Sequence, residues 1–302
     1  MTSIAVLGPG GVGGFIAGAL TRAGEEVTVL ARESTAQVLA RDGLHIQSVI
    51  LGEFDARPAA VTQLAEPVDV LIIATKAVSL DAALQRVQAT PGLVVPLLNG
   101  LDHMQLLRRR FPAERVAAGT IRIEADRPEP GRIVHTSRFL QVDLASEHAE
   151  AAPALERLAG RLNRAEVPAR IGPSEAQILW SKLVRLNALA LTTSASAERL
   201  GFIRSDPVWR EALLGCLREG AAVARADGAE LDPAKPLGEL EAAHAELNSS
   251  MQRDVAAGRE PELDAIAGSV LRAARRHGLA CPTIERLSGE VARRAGIEPP
   301  RV

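Results

Sequence analysis

The feature that most constrains this chain is a glycine-rich turn near its beginning. The apolar run Ser3-Ile4-Ala5-Val6-Leu7 reads as a short buried strand, and a helical pattern extends from about Gly11 to Arg22. Between them lies a G-x-G-x-x-G turn, a pattern typical of Rossmann units, in which backbone N–H groups at the helix N-terminus bind a pyrophosphate. A simple tight turn is the alternative. We predict a dinucleotide site at Gly8, Gly10, Gly11, Val12 and Gly13.

The residue after the second strand indicates which dinucleotide binds. This strand is Val27-Thr28-Val29-Leu30, and Arg32 follows it. An NAD enzyme usually places an acidic residue there, about 20 residues beyond the motif, to bind the ribose hydroxyls. A guanidinium suits a 2′-phosphate instead, which favours NADP(H) as the cofactor. Glu33 beside it, and the possibility that Arg32 is simply solvated, leave NAD open.

The remaining pattern predicts two domains. Apolar strands at 68–74 and 93–98 alternate with helical patterns at 80–87 and 104–110, which indicates a parallel sheet covered on both faces. Alternating runs at 120–125, 132–136 and 139–143 predict an antiparallel extension of that sheet. After Gly172-Pro173 the apolar spacing is helical throughout. The predicted fold is α/β, with a Rossmann domain over residues 1–172 and an all-α substrate and dimerisation domain over residues 173–302.

Composition excludes several function classes for the 302-residue chain. A net charge of −2 without a basic block argues against nucleic-acid binding, and no apolar run is long enough for a membrane span. Since the N-terminus lacks the basic region of a signal peptide, we expect a cytoplasmic protein. Cys216 and Cys281 have no metal-site spacing and are predicted to be buried thiols, so no metal is expected. The chain has no tyrosine, which excludes reductases that use a Tyr hydroxyl as the acid.

Several polar residues stand where a ligand could contact them. Lys76 follows the third strong strand and Asn99 ends the fourth, and the carboxyl ends of parallel strands are where such sheets bind ligands. Lys182 lies within an apolar helical stretch, while Ser250 and Glu262 stand at predicted helix starts. Taken singly, a solvated lysine, an Asn-Gly turn or helix capping would explain each of them equally well.

Taken together, these residues resemble the ketopantoate reductase (2-dehydropantoate 2-reductase) family. The resemblance covers nearly the whole chain in order, and it rests on Gly8-x-Gly10-x-x-Gly13, Lys76, Asn99-Gly100, Trp180-x-Lys182-Leu183, Ser250-Met251-x-x-Asp254 and Glu262. It implies NADPH-dependent reduction of a branched 2-oxo acid, ketopantoate to pantoate, as in pantothenate and CoA biosynthesis, with the substrate in a cleft between the two domains. A homodimer formed through the helical domain is also implied.

The same resemblance assigns roles to individual residues. Lys182 would be the general acid, Glu262 would bind the substrate hydroxyl, and Ser250 would bind the carboxylate. Asn99 would place nicotinamide and substrate. Arg32 and Lys76 would contact the cofactor. These roles agree with the chemistry, because hydride arriving at a 2-oxo carbon builds negative charge on the oxygen, where an ammonium can stabilise it and donate a proton.

Two positions depart from the family pattern. Many members have Asn four residues after the helical lysine, whereas this chain has Leu186; Asn187 is rotated by roughly 140° from Lys182 and is expected to face elsewhere. Ser79 stands where the family often has Gln. A different 2-oxo acid is therefore an open alternative, as are a β-hydroxyacid or imine reductase relative and a non-catalytic NADP-binding sensor.

Overall fold

The structure is a computed structural model that describes residues 3–302, and it divides into two compact units. The first comprises the chain up to Leu98 together with His103–Ile178. The second comprises Asn99–Asp102 and Leu179–Val302. The chain therefore enters the second unit for four residues, returns to the first, and leaves it again within a long helix.

All strands of the described chain lie before residue 172. They are β1 (Ile4–Leu7), β2 (Val27–Leu30), β3 (Leu44–Ser48), β4 (Gly52–Ala56), β5 (Ala59–Val61), β6 (Val70–Ile73), β7 (Leu93–Pro96), β8 (Ala118–Arg122), β9 (Ala125–Glu129), β10 (Arg132–His135), β11 (Gln141–Ala145) and β12 (Ala169–Ile171).

The α-helices run through both units. They are α1 (Gly11–Arg22), α2 (Glu33–Asp42), α3 (Leu80–Leu84), α4 (His103–Arg110), α5 (Ala152–Arg164), α6 (Glu175–Ser196), α7 (Leu200–Ser205), α8 (Pro207–Ala226), α9 (Ala234–Ala242), α10 (Ser250–Ala256), α11 (Ser269–Arg276) and α12 (Pro282–Ala295).

The centre of the first unit is a five-stranded sheet in the order β5-β2-β1-β6-β7, in which every pair is parallel. Its three central strands are almost entirely buried and apolar except for the partly buried Thr28 of β2, as expected when helices cover both faces. The predicted Rossmann domain is confirmed, with α1 spanning the predicted residues. The carboxyl end of β1 leads directly into the glycine-rich turn.

The predicted runs are antiparallel, since β8 pairs with β11 and β9 with β10, but the prediction that they extend the parallel sheet is wrong. They belong to two separate sheets, one in the order β4-β3-β10-β9 and one in the order β12-β11-β8. The reason lies on α1, where Gly14 and Gly18 have no side chain. A Cβ on Gly14 would lie 2.4 Å from Ile133 Cδ1, and one on Gly18 would lie 2.8 Å from Ile46 Cδ1. Strands β3 and β10 therefore bury their isoleucines directly against α1 instead of joining the parallel sheet.

The second unit is helical, and no strand occurs in the described chain after Ile171, which confirms the predicted all-α half. Its long helix α6 is fixed through Trp180, which is 1% exposed. The Trp180 indole N–H donates to Asp227 Oδ2 at 2.9 Å, and His277 Nε2 lies 2.8 Å from Asp227 Oδ1. Asp227 and His277 directly follow α8 and α11, so one carboxylate connects three helices.

Three further features of the described residues bear on the sequence predictions. Cys216 and Cys281 are both free and buried, as predicted, and burial raises the pKa of the Cys281 thiol to about 11. No helix within residues 3–302 is long and apolar enough to cross a membrane. The same residues contain no cluster of three or more His, Cys, Asp or Glu side chains that could hold a metal ion.

Candidate functional site

The glycine-rich turn has the shape that a phosphate-binding turn needs. Gly8 has a φ of +93°, and a Cβ on Gly13 would lie 2.1 Å from the Gly8 carbonyl oxygen, so both positions require glycine. A Cβ on Gly10, by contrast, would meet nothing within 4 Å. Gly10 precedes α1, and glycine offers no side chain to cap the helix. The turn is also tight at Gly11, the first residue of α1, where a Cβ would lie 2.0 Å from the Ala125 carbonyl oxygen. It is open at Gly10, where backbone N–H groups at the start of the helix can bind an anion.

Thr75, at the carboxyl end of the neighbouring strand β6, adds a polar group to this turn. Its methyl carbon would lie 2.7 Å from a Cβ on Gly8, which places the two residues in contact. Its hydroxyl oxygen is buried and has no hydrogen-bond partner among the described residues. A buried polar atom without a partner costs free energy, so this hydroxyl is a ready donor or acceptor for a bound molecule. The residues of the turn thus fit a dinucleotide phosphate group.

The two predicted cationic contacts follow β2 and β6, the strands on either side of β1. Arg32 is exposed and immediately precedes α2, and only Ala31 separates it from the last residue of β2. Lys76 is exposed and immediately precedes the short 3₁₀ helix Ala77–Ser79. Ser79 directly precedes α3 and is partly buried. Since β1, β2 and β6 are adjacent and parallel, these side chains begin at the same edge of the sheet as the glycine turn.

Lys182 lies on a partly exposed stripe of α6. The stripe is formed by Ser181, Lys182, Arg185 and Leu186, whereas Leu183 and Val184 are buried in the helical unit. Leu186 therefore stands beside Lys182, one helical turn along. Asn187 is completely buried, which confirms that it faces away from the lysine. This face of α6 therefore places the cationic side chain of Lys182 beside the apolar side chain of Leu186.

Asn99 and Glu262 are brought together in the second unit. The Asn99 side-chain amide donates to Glu262 Oε2 at 2.9 Å, although the two residues are 163 positions apart. The prediction that Glu262 lies in the first turn of a helix is wrong. The helix begins at Leu263 and continues as a π-helical turn over Asp264–Gly268, and the Ile266 N–H donates to the Glu262 carbonyl oxygen. Glu262 thus stands just before the helix, because its carbonyl accepts the first helical hydrogen bond.

Ser250 is the first residue of α10 and is exposed. The capping interaction belongs to its neighbour, since Ser249 Oγ accepts from the Gln252 N–H at 3.0 Å. Ser249 Oγ also lies 3.0 Å from Thr193 Oγ1 on α6, which ties the start of α10 to the helix that carries Lys182. The Ser250 hydroxyl is therefore not needed as a helix cap.

The motif alone does not reveal Thr75, Asp102, Asp264 or Arg272. Thr75 could have been found as a polar residue between a buried strand and Lys76. In the sequence the other three are ordinary charged residues. Only the folded chain shows that Arg272 donates hydrogen bonds to the carboxylates of both Asp102 and Asp264.

Comparison with known families agrees with this arrangement. The model of the family described as "Ketopantoate reductase PanE/ApbA" matches residues 4–145. The model described as "Ketopantoate reductase PanE/ApbA C terminal" matches residues 176–295. Together the two matches span most of both units.

Individual proteins resemble the chain over almost its full length. A 2-dehydropantoate 2-reductase of Mycobacterium tuberculosis (strain H37Rv) is 33% identical over 294 residues, covering 93% of this chain and 94% of the relative. The uncharacterized oxidoreductase YkpB of Bacillus subtilis (strain 168) is 32% identical over 290 residues, with coverages of 93% and 94%. The fold is shared with a D-mandelate dehydrogenase solved with NADH and anilino(oxo)acetate, at a TM-score of 0.89, 21% identity and coverages of 98% and 99%. By these matches the chain belongs to the ketopantoate reductase family of oxidoreductases.

Proposed function

We propose that this oxidoreductase reduces a branched 2-oxo acid with NADPH, and that ketopantoate, reduced to pantoate, is its first candidate substrate. One observation carries the proposal. Although Asn99 follows a strand of the nucleotide-binding half, it belongs to the same compact unit as Lys182, Ser250 and Glu262. The four residues proposed for the oxo acid therefore come from one folded unit, and the residues proposed for the cofactor, apart from Asn99, come from the other.

NADPH, when bound, supplies the hydride that C2 of the oxo acid accepts. The Lys182 ammonium stabilises the negative charge that develops on the oxo oxygen and transfers a proton to it, giving the 2-hydroxy acid. Burial of Leu183 and Val184 holds α6 in place, so that the lysine needs little reorganisation as charge develops. In this proposal the exposed hydroxyl of Ser250 binds the substrate carboxylate.

Glu262 is suited to accept a hydrogen bond from a substrate hydroxyl. Its Oε2 atom already accepts from Asn99, which fixes the carboxylate, and an ionised carboxylate has about four acceptor positions in all. A substrate with a hydroxyl group near C2 would bind there. This favours ketopantoate, which carries a 4-hydroxyl, over 2-oxo acids with purely hydrocarbon side chains.

Leu186 favours a second candidate, a 2-oxo acid with an apolar side chain. It is partly exposed and stands one turn from Lys182, where many family members have Asn. A leucine beside the lysine offers a contact for methyl or phenyl groups and no hydrogen bond.

The oxidation of NADPH with a matched pair of oxo acids tests both candidates. Ketopantoate and 3,3-dimethyl-2-oxobutanoate differ only in the 4-hydroxyl, so the ratio of their kcat/KM values reports on recognition of that group. We expect ketopantoate to be preferred by about 10- to 100-fold, as a hydrogen bond to a charged acceptor predicts. A preference for the hydroxyl-free acid, or for phenylglyoxylate, would favour the second candidate. If no 2-oxo acid is reduced, both are wrong.

A further inference from the structure

The short segment Asn99–Asp102 is fastened closely to the helical unit. Asn99 bonds Glu262, as described above, and the next residue, Gly100, has a φ of +86°. A Cβ on Gly100 would lie 2.1 Å from the Ala265 carbonyl oxygen, within the π-helical turn that follows Glu262. Backbone thus packs on backbone immediately beside the two proposed substrate residues.

Arg272 on α11 bonds both sides of this contact. Its Nη2 atom donates to Asp102 Oδ2 at 2.6 Å, and its Nε atom donates to the same oxygen at 3.1 Å. Its Nη1 atom donates to Asp264 Oδ1 at 2.8 Å. The guanidinium is 27% exposed, and its bonds with Asp264 and Asp102 raise its pKa despite burial, which acts to lower it. Arg272 therefore remains a cation that holds two carboxylates.

The bonded residues are close in sequence to the proposed substrate residues. Asp102 follows Asn99 by three positions, and Asp264 follows Glu262 by two. A single rigid, planar group therefore links the segment that carries Asn99 to the turn that carries Glu262. Without a cation there, Asp102 and Asp264 would repel one another and the two segments would separate.

We propose that Arg272 is a positioning residue for the oxo-acid site, which through Asp102 and Asp264 sets the distance between Asn99 and Glu262. The inference rests on the proposed function, because it gives those two side chains a substrate to bind. Arg272 itself does not contact the substrate in this proposal. Its effect is on the geometry of the groups that do.

The chain offers a matched control one turn further along α11. Arg275 donates to the carbonyl oxygen of Val302 at 2.5 Å, and Arg272 likewise donates to the carbonyl oxygen of Arg301 at 2.8 Å. Both arginines thus hold residues 301 and 302, but the bonds to Asp102 and Asp264 are made by Arg272. The variant Arg275→Gln therefore tests loss of a tail contact alone.

The experiment compares Arg272→Gln, Arg272→Lys and Arg275→Gln with the wild-type protein. For Arg272→Gln we expect kcat/KM for the preferred 2-oxo acid to fall about 10- to 100-fold, since displacement of binding groups by about 1 Å has such effects. The dissociation constant of Arg272→Gln for NADPH should change less than about twofold. In Arg275→Gln, both kcat/KM and this dissociation constant should change less than about twofold. The kcat/KM of Arg272→Lys should lie between those of the wild type and Arg272→Gln, because one ammonium cannot reproduce the planar guanidinium that bonds both carboxylates.

Amide hydrogen exchange supplies a readout that does not depend on turnover. Arg272→Gln should accelerate exchange at residues 100–102 and 263–266, and Arg275→Gln should not. Faster exchange with unchanged kcat/KM would mean that Arg272 is merely structural, and unchanged exchange would also overturn the inference. If the wild-type protein is active and Arg272→Gln gives either of these results, only this inference is contradicted. If the wild-type protein reduces no 2-oxo acid, the proposed function is contradicted instead.

Discussion

At the scale of single residues, Lys182 has the most demanding role. The chain contains only three lysines, at positions 76, 182 and 235, and the proposed chemistry assigns proton transfer to the middle one. General acid catalysis contributes about 10²–10⁴-fold to rate, so Lys182→Ala should lower kcat by that factor. NADPH affinity should change little, because Lys182 is not among the residues proposed to contact the cofactor. Stopped-flow turnover and a fluorescence titration with NADPH separate the two quantities.

The control for this variant is Lys235→Ala, which removes an exposed lysine of α9 in the same unit. It should keep wild-type turnover. Normal turnover in Lys182→Ala would refute the acid assignment. Tight NADPH binding by a wild-type protein that turns over no substrate would instead favour the non-catalytic sensor.

Arg32 is the residue on which the choice of cofactor depends. A charge-assisted bond to the 2′-phosphate is worth about 1.5–3 kcal/mol, so Arg32→Ala should weaken NADPH binding about 10- to 100-fold. NADH, which lacks that phosphate, should bind with nearly unchanged affinity. Equal losses for both nucleotides would contradict the assignment. Arg41→Ala is the matched control, because Arg41 lies at the other end of α2 and pairs with Asp42.

Residue identities were predictable from sequence where a motif fixes the backbone around them. Gly8 and Gly13 fall in this class, because the turn cannot close with other side chains. The bond between Asn99 and Glu262 was not predictable, since no local pattern connects residues 163 positions apart. The same holds for Arg272, whose role depends on two carboxylates that only the fold brings to it.

At the scale of elements, α6 is positioned by its buried face. Trp180 and Lys182 are two residues apart and so project about 200° apart around the helix. The bond from Trp180 to Asp227 therefore fixes the rotation of α6 and with it the direction of the lysine. Burial acts to raise the pKa of Asp227, but hydrogen bonds from His277 and Trp180 hold it below its ordinary value of 3.8.

Trp180→Phe should destabilise the protein by about 1–3 kcal/mol, because it leaves the partly buried Asp227 carboxylate with one donor fewer. Since the pKa of Asp227 is lowered in the folded state, the ionised carboxylate contributes to the free energy of unfolding above pH 3.8. That contribution is lost as the pH falls through the pKa of Asp227 in the folded protein. The loss caused by Trp180→Phe should accordingly shrink in acid. Denaturant unfolding at neutral and acidic pH measures this.

Trp209→Phe is the matched control, because Trp209 is the other tryptophan and is only partly buried on α8. A similar free energy loss in both variants, or a loss in Trp180→Phe that does not depend on pH, would contradict the role given to the bond with Asp227.

Elements were predictable in proportion to the strength of their apolar pattern. Strands β1, β2, β6 and β7 are continuous apolar runs, and helix α1 has clear boundaries. Strands β3, β4 and β5 were not identified, because they are short and carry mixed polar sequences such as Gly-Glu-Phe-Asp-Ala. Strands β3 and β4 pair with each other and pack on α1, whereas β5 pairs with β2 in the parallel sheet. A local pattern contains neither arrangement.

At the scale of the whole molecule, the α/β order and the helical second half followed from periodicity along the chain. A homodimer through the helical domain and a cytoplasmic location stay predictions. The boundary between the units is more complex than a single position, because the described chain passes between them at residues 98–99, 102–103 and 178–179.

That interleaving has a consequence for evolution and engineering. A substrate half taken from residue 179 onward would arrive without Asn99, Gly100 and Asp102, and would lack its partners for Glu262 and Arg272. Exchange of halves between paralogues at one crossover point would pair those residues with a foreign segment. We therefore expect a working chimera to need the segment 99–102 and the helical half from the same parent.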